Sequence, residues 1–173
     1  MSGAAERTRT FTWSDPMIGA KAALTMSGLD YLRGMGKGDF PPPPIVDLVD
    51  FRFLNVEEGR IVFGFTPAEY HYNPIGSVHG GVISTLLDSA LSCAVHSTLP
   101  AGTGYTTLEI KVNYVRAVTA KTGPMRCEGK VIHRGSNVAT SGAFLTDAEG
   151  KLYAHASGTC MIFKIANISK SEG

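Results

Sequence analysis

Residues that could do chemistry concentrate in one stretch of the 173-residue sequence, "NPIGSVHGGVISTLLDSA", which begins at Asn73. His79 and Gly80 stand where a helix-like apolar run begins, and Asp88 follows eight positions after Gly80. Backbone N–H groups at a helix start carry the positive end of the helix dipole, and glycine lets a carbonyl approach them. The stretch therefore predicts chemistry at a carbonyl, with the Gly80 N–H stabilising an oxyanion and Asp88 attacking the carbonyl or activating water.

The separation of Gly80 and Asp88 limits how such a site could be built. Eight residues of α-helix span about 12 Å at about 1.5 Å per residue. That distance is too long for both groups to meet one carbonyl directly. The simplest arrangement is a pair of antiparallel helices from two subunits, in which Gly80 of one helix faces Asp88 of the other.

The helix is predicted from the apolar period of residues 82–95, whose members at helical spacing form one broad face: Val82, Ile83, Leu86, Leu87, Ala90, Leu91 and Ala94. Asp88 lies about 140° from the centre of that face, so a solvated charge is the alternative to a catalytic one. His79 could be an ordinary helix-start residue, and Gly80 could serve close packing. Asn73, which precedes a proline, could simply begin a turn.

Six strand-like segments flank this helix in the sequence. "VDLVDFRFLNV" and "GRIVFGFTP" precede it, and "YTTLEIKVNYVRAV", "GPMRCEGKVIHRG", "NVATSGAFLTDAEG" and "KLYAHASGTCMIFK" follow it. Leu108, Ile110, Val112 and Tyr114 alternate with polar residues, which predicts a strand with one buried face. The turns "EEG", "HRGSN" and "DAEGK" predict antiparallel hairpins. This order predicts an α+β fold in which an antiparallel sheet wraps around a long central helix.

Residues 1–42 are predicted to be an N-terminal helical extension with a proline-rich linker, and residues 43–173 the main domain. Pro16 to Leu32 suits one short helix, which the glycines of "RGMGKGD" would end. "FPPPPIVD" predicts an extended segment, because proline fixes the backbone and lacks an N–H.

Composition and charge limit the partners and the compartment. The 16 basic and 15 acidic residues nearly cancel, which argues against nucleic acid or an anionic membrane as a partner. Cys93, Cys127 and Cys160 lie far apart without zinc-ligand spacing, so no metal site is expected. The N-terminus lacks a signal-peptide core, and no apolar run reaches the roughly 18 residues of a membrane span. The sequence predicts a cytoplasmic protein that binds a small, locally recognised ligand.

The order of these motifs resembles the hotdog fold, and within it the thioesterase family related to phenylacetate degradation. "NPIGSVHGG", Asp88, "TTLEIKVNYVRAV", "HRGSNVA" and "DAEGKLYAHASGT" are similar to that family's landmarks, between about Pro43 and Lys164. The resemblance implies an acyl-CoA thioesterase without metal or cofactor, with coenzyme A as part of the substrate. It also implies a homodimer with active sites at its interface, and dimers that could stack into tetramers.

The resemblance assigns roles around Asp88. Asn73 and His79 would bind or orient the thioester and the catalytic acid, and Thr107 would hold the water. An offset of one residue leaves Thr106 as the alternative. A non-catalytic acyl-CoA-binding or sensing domain is the alternative function, and the intact Asp88 argues against it.

The turn "RGSN" comprises Arg134, Gly135, Ser136 and Asn137. It is similar to a turn that contacts the nucleotide part of coenzyme A in related proteins. A basic side chain and free N–H groups suit phosphate. A solvated turn charge is the alternative for Arg134.

Overall fold

A six-stranded antiparallel sheet wraps around one long helix in the computed structural model, which describes residues 6–165. The strands are β1 (Phe51–Glu57), β2 (Arg60–Phe65), β3 (Thr103–Tyr114), β4 (Met125–Arg134), β5 (Val138–Asp147) and β6 (Leu152–Lys164). Their order across the sheet is β1-β2-β4-β5-β6-β3. The predicted α+β hotdog architecture is confirmed. The predicted outer bounds of the two domains, at residues 1 and 173, lie outside the residues that the structure describes.

The central helix is α4 (Gly80–His96), and its apolar face is buried as the sequence period predicts. Leu86, Leu87, Ala90 and Leu91 are fully buried. The helix lies very close to the sheet, because a Cβ atom at Gly129 of β4 would stand 2.1 Å from the carbonyl oxygen of Ala90. The small residues where α4 meets β4 therefore determine how close the helix lies to the sheet.

Three helices precede the sheet: α1 (Pro16–Ala23), α2 (Gly28–Lys37) and α3 (Pro44–Val49). The Asp15 side chain accepts a hydrogen bond from the N–H of Met17 at 2.9 Å, and so caps α1. Leu32 of α2 is 1% exposed and belongs to the hydrophobic core. Helix α2 thus packs onto β1 and α4, and α1 packs against α2.

Three predictions for this segment were wrong in detail. The single helix expected between Pro16 and Leu32 is two helices, and α2 continues through the first glycines of "RGMGKGD". It ends at Gly38, whose φ of 84° is the left-handed conformation that glycine adopts without a Cβ penalty. The extended segment stops at Pro43, and Pro44 opens α3 because proline fits the first helical position. The strand predicted from Val46 therefore begins only at Phe51.

The predicted buried face of β3 was also wrong. Leu108 is 56% exposed and Tyr114 is 53% exposed, although Ile110 and Val112 pack against the core. The physical reason is position, because β3 is an edge strand and α4 lies over the middle of the sheet. Alternation predicted the packing of Ile110 and Val112, but it could not predict the bulge at Leu108 or how far α4 covers Tyr114.

The remaining helical segments are single turns, Glu69–His71 and Ala120–Thr122, in the connections after β2 and β3. The predicted turns are confirmed, with Gly59 at φ 72° after β1 and Gly150 at φ 82° after β5. Within residues 6–165, no helix is both long enough and apolar enough to cross a bilayer.

The contact between Gly129 and α4 gives a stability prediction. We expect Gly129→Ala to lower the free energy of unfolding by about 3 kcal/mol, because the new methyl group meets the backbone of Ala90 and either the helix or the strand must shift. Gly142→Ala is the matched control in a buried strand position, since its nearest atoms would be 3.5 and 3.6 Å away. Urea unfolding of both variants measures the difference, and equal midpoints would contradict the role of Gly129.

Candidate active site

Asp88 lies in the third turn of α4 and faces a cleft between that helix and β3. The hydroxyl of Thr107 donates a hydrogen bond to Asp88 Oδ1 at 3.0 Å. Within residues 6–165, Oδ2 of the same carboxylate accepts no hydrogen bond. The cleft has a volume of about 340 Å³ and is also lined by Ser84, Thr85 and Glu109. Asp88 thus presents one carboxylate oxygen that is held in place and one that is available for chemistry.

The structure places Thr107, and not Thr106, beside Asp88. Thr106 is exposed, whereas Thr107 is half-buried against α4. A β-bulge determines this geometry, because Thr107 pairs with Cys160 and Glu109 with Thr159, which leaves Leu108 as an extra residue.

Tyr114 provides a second contact between β3 and α4 that the sequence reasoning did not assign to the site. Its hydroxyl donates to the carbonyl of Gly80 at 3.1 Å and lies 2.7 Å from Ser84 Oγ. Side chains alternate along a regular strand, so positions seven apart would point to opposite faces. The extra residue of the bulge shifts the alternation by one position, so the side chains of Thr107 and Tyr114 both point toward the helix.

The start of α4 is organised by His79 and Gly80. His79 is the N-cap residue, and its Nδ1 accepts a hydrogen bond from the N–H of Gly81 at 2.9 Å. The N–H of Gly80 donates no hydrogen bond within residues 6–165. A Cβ atom at Gly80 would stand 3.2 Å from the Tyr114 ring. A side chain at this position would press on Tyr114, and within residues 6–165 the N–H of Gly80 is a free donor at the positive end of the helix.

Asn73 stabilises the loop that leads into α4. Its Oδ1 accepts hydrogen bonds from the N–H groups of Ile75 at 3.1 Å and Ser77 at 3.2 Å, and its Nδ2 donates to Ser77 Oγ at 3.1 Å. These contacts form a turn, which was the alternative role predicted for this residue. In this chain Asn73 therefore contacts its own loop and not Asp88.

His71 holds the other side of the same loop. Its Nδ1 accepts from the N–H of Ala68 at 3.0 Å, so the proton is on Nε2, which donates to the carbonyl of Val49 at 2.9 Å. Burial lowers the pKa of His71, so the ring is neutral at physiological pH. The N–H of His79 donates to the carbonyl of His71 at 2.8 Å. Nothing in the local sequence indicates this role, because it depends on Val49, which lies 22 residues before His71.

The turn from Arg134 to Asn137 lies elsewhere on the molecule. The N–H of Gly135 donates to the carbonyl of Val138 at 2.9 Å, which closes the turn between β4 and β5. Arg134 lines a depression beside Ser97 and Pro100, just after the end of α4. Ser97 is nine residues beyond Asp88, or about 13 Å along the helix axis. One chain therefore does not bring this turn to Asp88.

Gly80 and Asp88 also remain apart within one chain. Because α4 is continuous between them, they are separated by about 12 Å along the axis and about 80° around it. The described residues contain no group of three or more His, Cys, Asp or Glu side chains that could hold a metal ion. The three cysteines are free, and burial raises the pKa of Cys93 to about 12.

Comparison with known proteins identifies the family. Residues 75–154 match the family model described as the thioesterase superfamily. A protein of Saccharolobus solfataricus, provisionally named an esterase, is 32% identical over 120 residues, which are 69% of this chain and 84% of that protein. The chain belongs to the thioesterase superfamily and is a hydrolase.

Two solved structures share the fold. A phenylacetic acid degradation-related protein of Ralstonia eutropha is 28% identical, with a TM-score of 0.69 over 76% of this chain and 98% of its own. A protein of Streptococcus mutans, solved bound to acetyl coenzyme A, is 23% identical, with a TM-score of 0.61 over 68% of this chain and 91% of its own. The second likeness concerns the fold alone.

The contact between Thr107 and Asp88 gives a kinetic prediction. We expect Thr107→Val to lower kcat for thioester hydrolysis by about tenfold to a hundredfold, because it removes a hydrogen bond to a charged group without changing side-chain size much. Thr106→Val is the matched control and should keep wild-type turnover, since its side chain is exposed. Thiol release under substrate saturation measures both. Equal losses in the two variants would contradict a specific contact.

Proposed function

We propose that the protein hydrolyses acyl-CoA thioesters to a free carboxylic acid and coenzyme A, with Asp88 as the catalytic carboxylate. The observation that carries this proposal is the Asp88 side chain, held by Thr107 in a cleft with its second oxygen unpartnered within residues 6–165. The acetyl coenzyme A bound by the Streptococcus mutans protein supports this class of substrate. The Asp88–Thr107 pair argues against a non-catalytic acyl-CoA-binding or sensing domain.

Two reaction courses use this carboxylate. As a nucleophile, Asp88 forms a bond to the thioester carbon and expels the coenzyme A thiolate, which leaves a mixed anhydride that water then cleaves. As a general base, Asp88 takes a proton from water while the water oxygen attacks the same carbon and the thiolate departs. Both courses place negative charge on the carbonyl oxygen. In both, the N–H of Gly80 stabilises that charge.

The complete site requires two subunits in this proposal. Gly80 and Asp88 are too far apart within α4, so Gly80 of one subunit would act with Asp88 of its partner. The long edge strand β3 supports such a dimer, since an unpaired strand edge is a natural surface for strand pairing. Its exposed Leu108 and Tyr114 would then be covered. Asn73 and His79 would shape the loop and helix start that present Gly80, and stacking of two dimers would give the predicted tetramer.

The turn from Arg134 to Asn137 would hold the nucleotide part of coenzyme A. It lies near the end of α4, about 13 Å along the helix axis from Asp88 of the same subunit. Coenzyme A would span that distance, with its thioester at the site that Asp88 forms with Gly80 of the partner and its nucleotide at the turn. Arg134, with backbone donors of Gly135, Ser136 and Asn137, supplies suitable groups for phosphate.

We also propose that the enzyme is cytoplasmic and needs no metal or cofactor. The free thiols of Cys93, Cys127 and Cys160 are consistent with a reducing compartment. The chemistry proposed for Asp88 and Gly80 balances with water as the only co-reactant. No nucleic-acid or membrane partner is expected, because the charges nearly cancel.

Substitution of the carboxylate tests the catalytic role. We expect Asp88→Asn to lower kcat by about a hundredfold or more, because an amide can neither attack nor accept the proton. Glu109→Gln is the matched control in the same cleft, where Glu109 accepts a hydrogen bond from Thr159 at 3.0 Å, and it should keep activity within about threefold. Thiol release from an acyl-CoA panel measures both, and wild-type turnover in Asp88→Asn would end the proposal.

Mixed dimers test the shared site. Asn73→Ala should abolish the activity of any site that uses this helix start. The substitution removes the acceptor that fixes the N–H groups of Ile75 and Ser77 in the loop before α4. A purified heterodimer of Asn73→Ala and Asp88→Asn subunits would have one site with both defects and one intact site. Two-fold symmetry then predicts about half of the wild-type activity.

The control heterodimer carries both substitutions on one subunit and none on the other. Each of its sites would contain one defect, so we expect almost no activity. A site built within one chain gives the opposite result, an inactive first heterodimer and a half-active control. Differently tagged subunits, co-expressed and purified by both tags, allow the measurement.

A further inference from the structure

A cavity of about 240 Å³ lies between α4, the sheet and the N-terminal helices. Most of its wall is aromatic or aliphatic. The rings come from α2 and four strand positions: Tyr31, Phe51, Phe53, Phe63 and Tyr105. Cavities lined in this way favour apolar ligands, and large apolar pockets with a few polar groups are the usual form of small-molecule sites.

The cavity lies beside the cleft that holds the proposed catalytic carboxylate, and the two share no lining residue. Ser89, the residue after Asp88, lines it, and Cys93 and His96 continue the same wall along α4. On β3 the lining residue is Tyr105, which is two positions before Thr107 and therefore points to the same face. A group attached to a carbonyl at Asp88 would thus extend along α4 towards His96.

The far end of the cavity is closed by the segment formed by α1, α2, α3 and their connections, residues 16–49. Leu32 and Met35 of α2 and Val46 of α3 line this end. The position of α2 is fixed against the end of α4, because a Cβ atom at Gly28 would stand 1.8 Å from the carbonyl oxygen of His96. The N–H of Gly28 also donates to the carbonyl of Leu99 at 2.9 Å.

The cavity wall carries no charge at neutral pH. Within residues 6–165, none of its lining residues is Asp, Glu, Lys or Arg. Burial lowers the pKa of His96 to about 4 and raises the pKa of Cys93 to about 12, so both are neutral. A ligand with its own charged end would therefore meet no counter-charge there.

The volume limits the length of a ligand. A benzene-sized ligand fits in an apolar cavity of about 150 Å³. If a methylene group needs about the room of one water molecule in the liquid, about 30 Å³, the volume of 240 Å³ holds about eight of them. An aromatic ring with a short connector fits equally well, whereas a long fatty acyl chain does not.

We propose that this cavity is the acyl-tail pocket, that it accepts neutral apolar acyl groups up to about the size of phenylacetyl or octanoyl, and that residues 16–49 set the upper limit of length. This inference rests on the proposed acyl-CoA thioesterase function. It gives the N-terminal segment a role in substrate selection and leaves the chemistry to Asp88.

A substrate panel tests the pocket in the unaltered enzyme. We expect kcat/KM to be at least about tenfold higher for phenylacetyl-CoA or octanoyl-CoA than for acetyl-CoA, and to fall by about tenfold or more for dodecanoyl-CoA. Comparison of phenylacetyl-CoA with octanoyl-CoA distinguishes a ring from a chain. Adipoyl-CoA should be at least about a hundredfold poorer than hexanoyl-CoA, because its carboxylate would be buried without a partner. A flat profile, or equal rates for adipoyl-CoA and hexanoyl-CoA, overturns the inference.

Two substitutions in the N-terminal helices test the closure. Ala23→Phe fills the cavity from α1 and should lower kcat/KM for octanoyl-CoA by about tenfold or more, with acetyl-CoA changed by less than about twofold. Met35→Ala enlarges the closed end and should raise the ratio of dodecanoyl-CoA to octanoyl-CoA by about tenfold. Met17→Ala is the matched control, since Met17 is exposed and does not line the cavity, and it should change neither ratio. Unchanged ratios in both cavity variants overturn the role of residues 16–49.

Binding of coenzyme A thioethers separates the two proposals. S-octyl-CoA cannot be hydrolysed, and calorimetry should show that it binds more tightly than S-ethyl-CoA and that Ala23→Phe removes the difference. If this binding difference is found but no acyl-CoA is hydrolysed, the proposed function is refuted and the pocket is retained. Hydrolysis with equal binding of the two thioethers would refute the pocket and retain the function.

Discussion

The close contact between α4 and the middle of the sheet is the constraint on which the rest of the structure depends. The backbone of Ala90 lies against Gly129, and the side chain of Leu91 lies 3.0 Å from where a Cβ atom of Gly158 would be. A helix held at this depth brings Asp88 within hydrogen-bonding distance of Thr107 on the edge strand. A shallower helix would bury the same apolar residues less completely and would lose that contact.

The two ends of α4 serve different purposes. At its start, His79 caps the helix and uses the N–H of Gly81, which leaves the N–H of Gly80 as the donor. At its end, the N-terminal segment packs on the backbone of His96 and encloses an apolar space. The proposed polar chemistry and the proposed apolar recognition thus use different parts of a single helix, with Asp88 between them.

The sequence predicts the architecture well because periodicity reports burial directly. The apolar residues of α4 repeat at helical spacing, and turns such as the one at Gly150 have residues that tolerate left-handed φ. It predicts less well where two local preferences compete. Gly34 and Gly36 disfavour a helix, yet α2 continues through them because Leu32 and Met35 are buried against the sheet and α4.

The candidate site likewise contains residues that the sequence could identify and residues that it could not. Asp88, Gly80 and His79 could be found because they are close in sequence and have distinctive types. The contact of Tyr114 with Gly80, and the support of the loop by His71, depend on residues brought together only by folding. Which of Thr106 and Thr107 contacts Asp88 depends on the bulge, and the residue type at Leu108 does not predict a bulge.

The bulge at Leu108 has a consequence for how the gene can change. Loss of this one codon would leave β3 able to form a regular ladder with β6, so the sheet itself would tolerate the deletion. Thr107 and Tyr114 would then be six positions apart, and strict alternation would still direct both to α4. Selection must therefore preserve the bulge and the seven-residue spacing together, rather than the identity of Leu108, which is largely exposed. A single insertion or deletion that leaves the bulge in place would turn one of the two side chains away from α4, and this is the change that the strand can least accept.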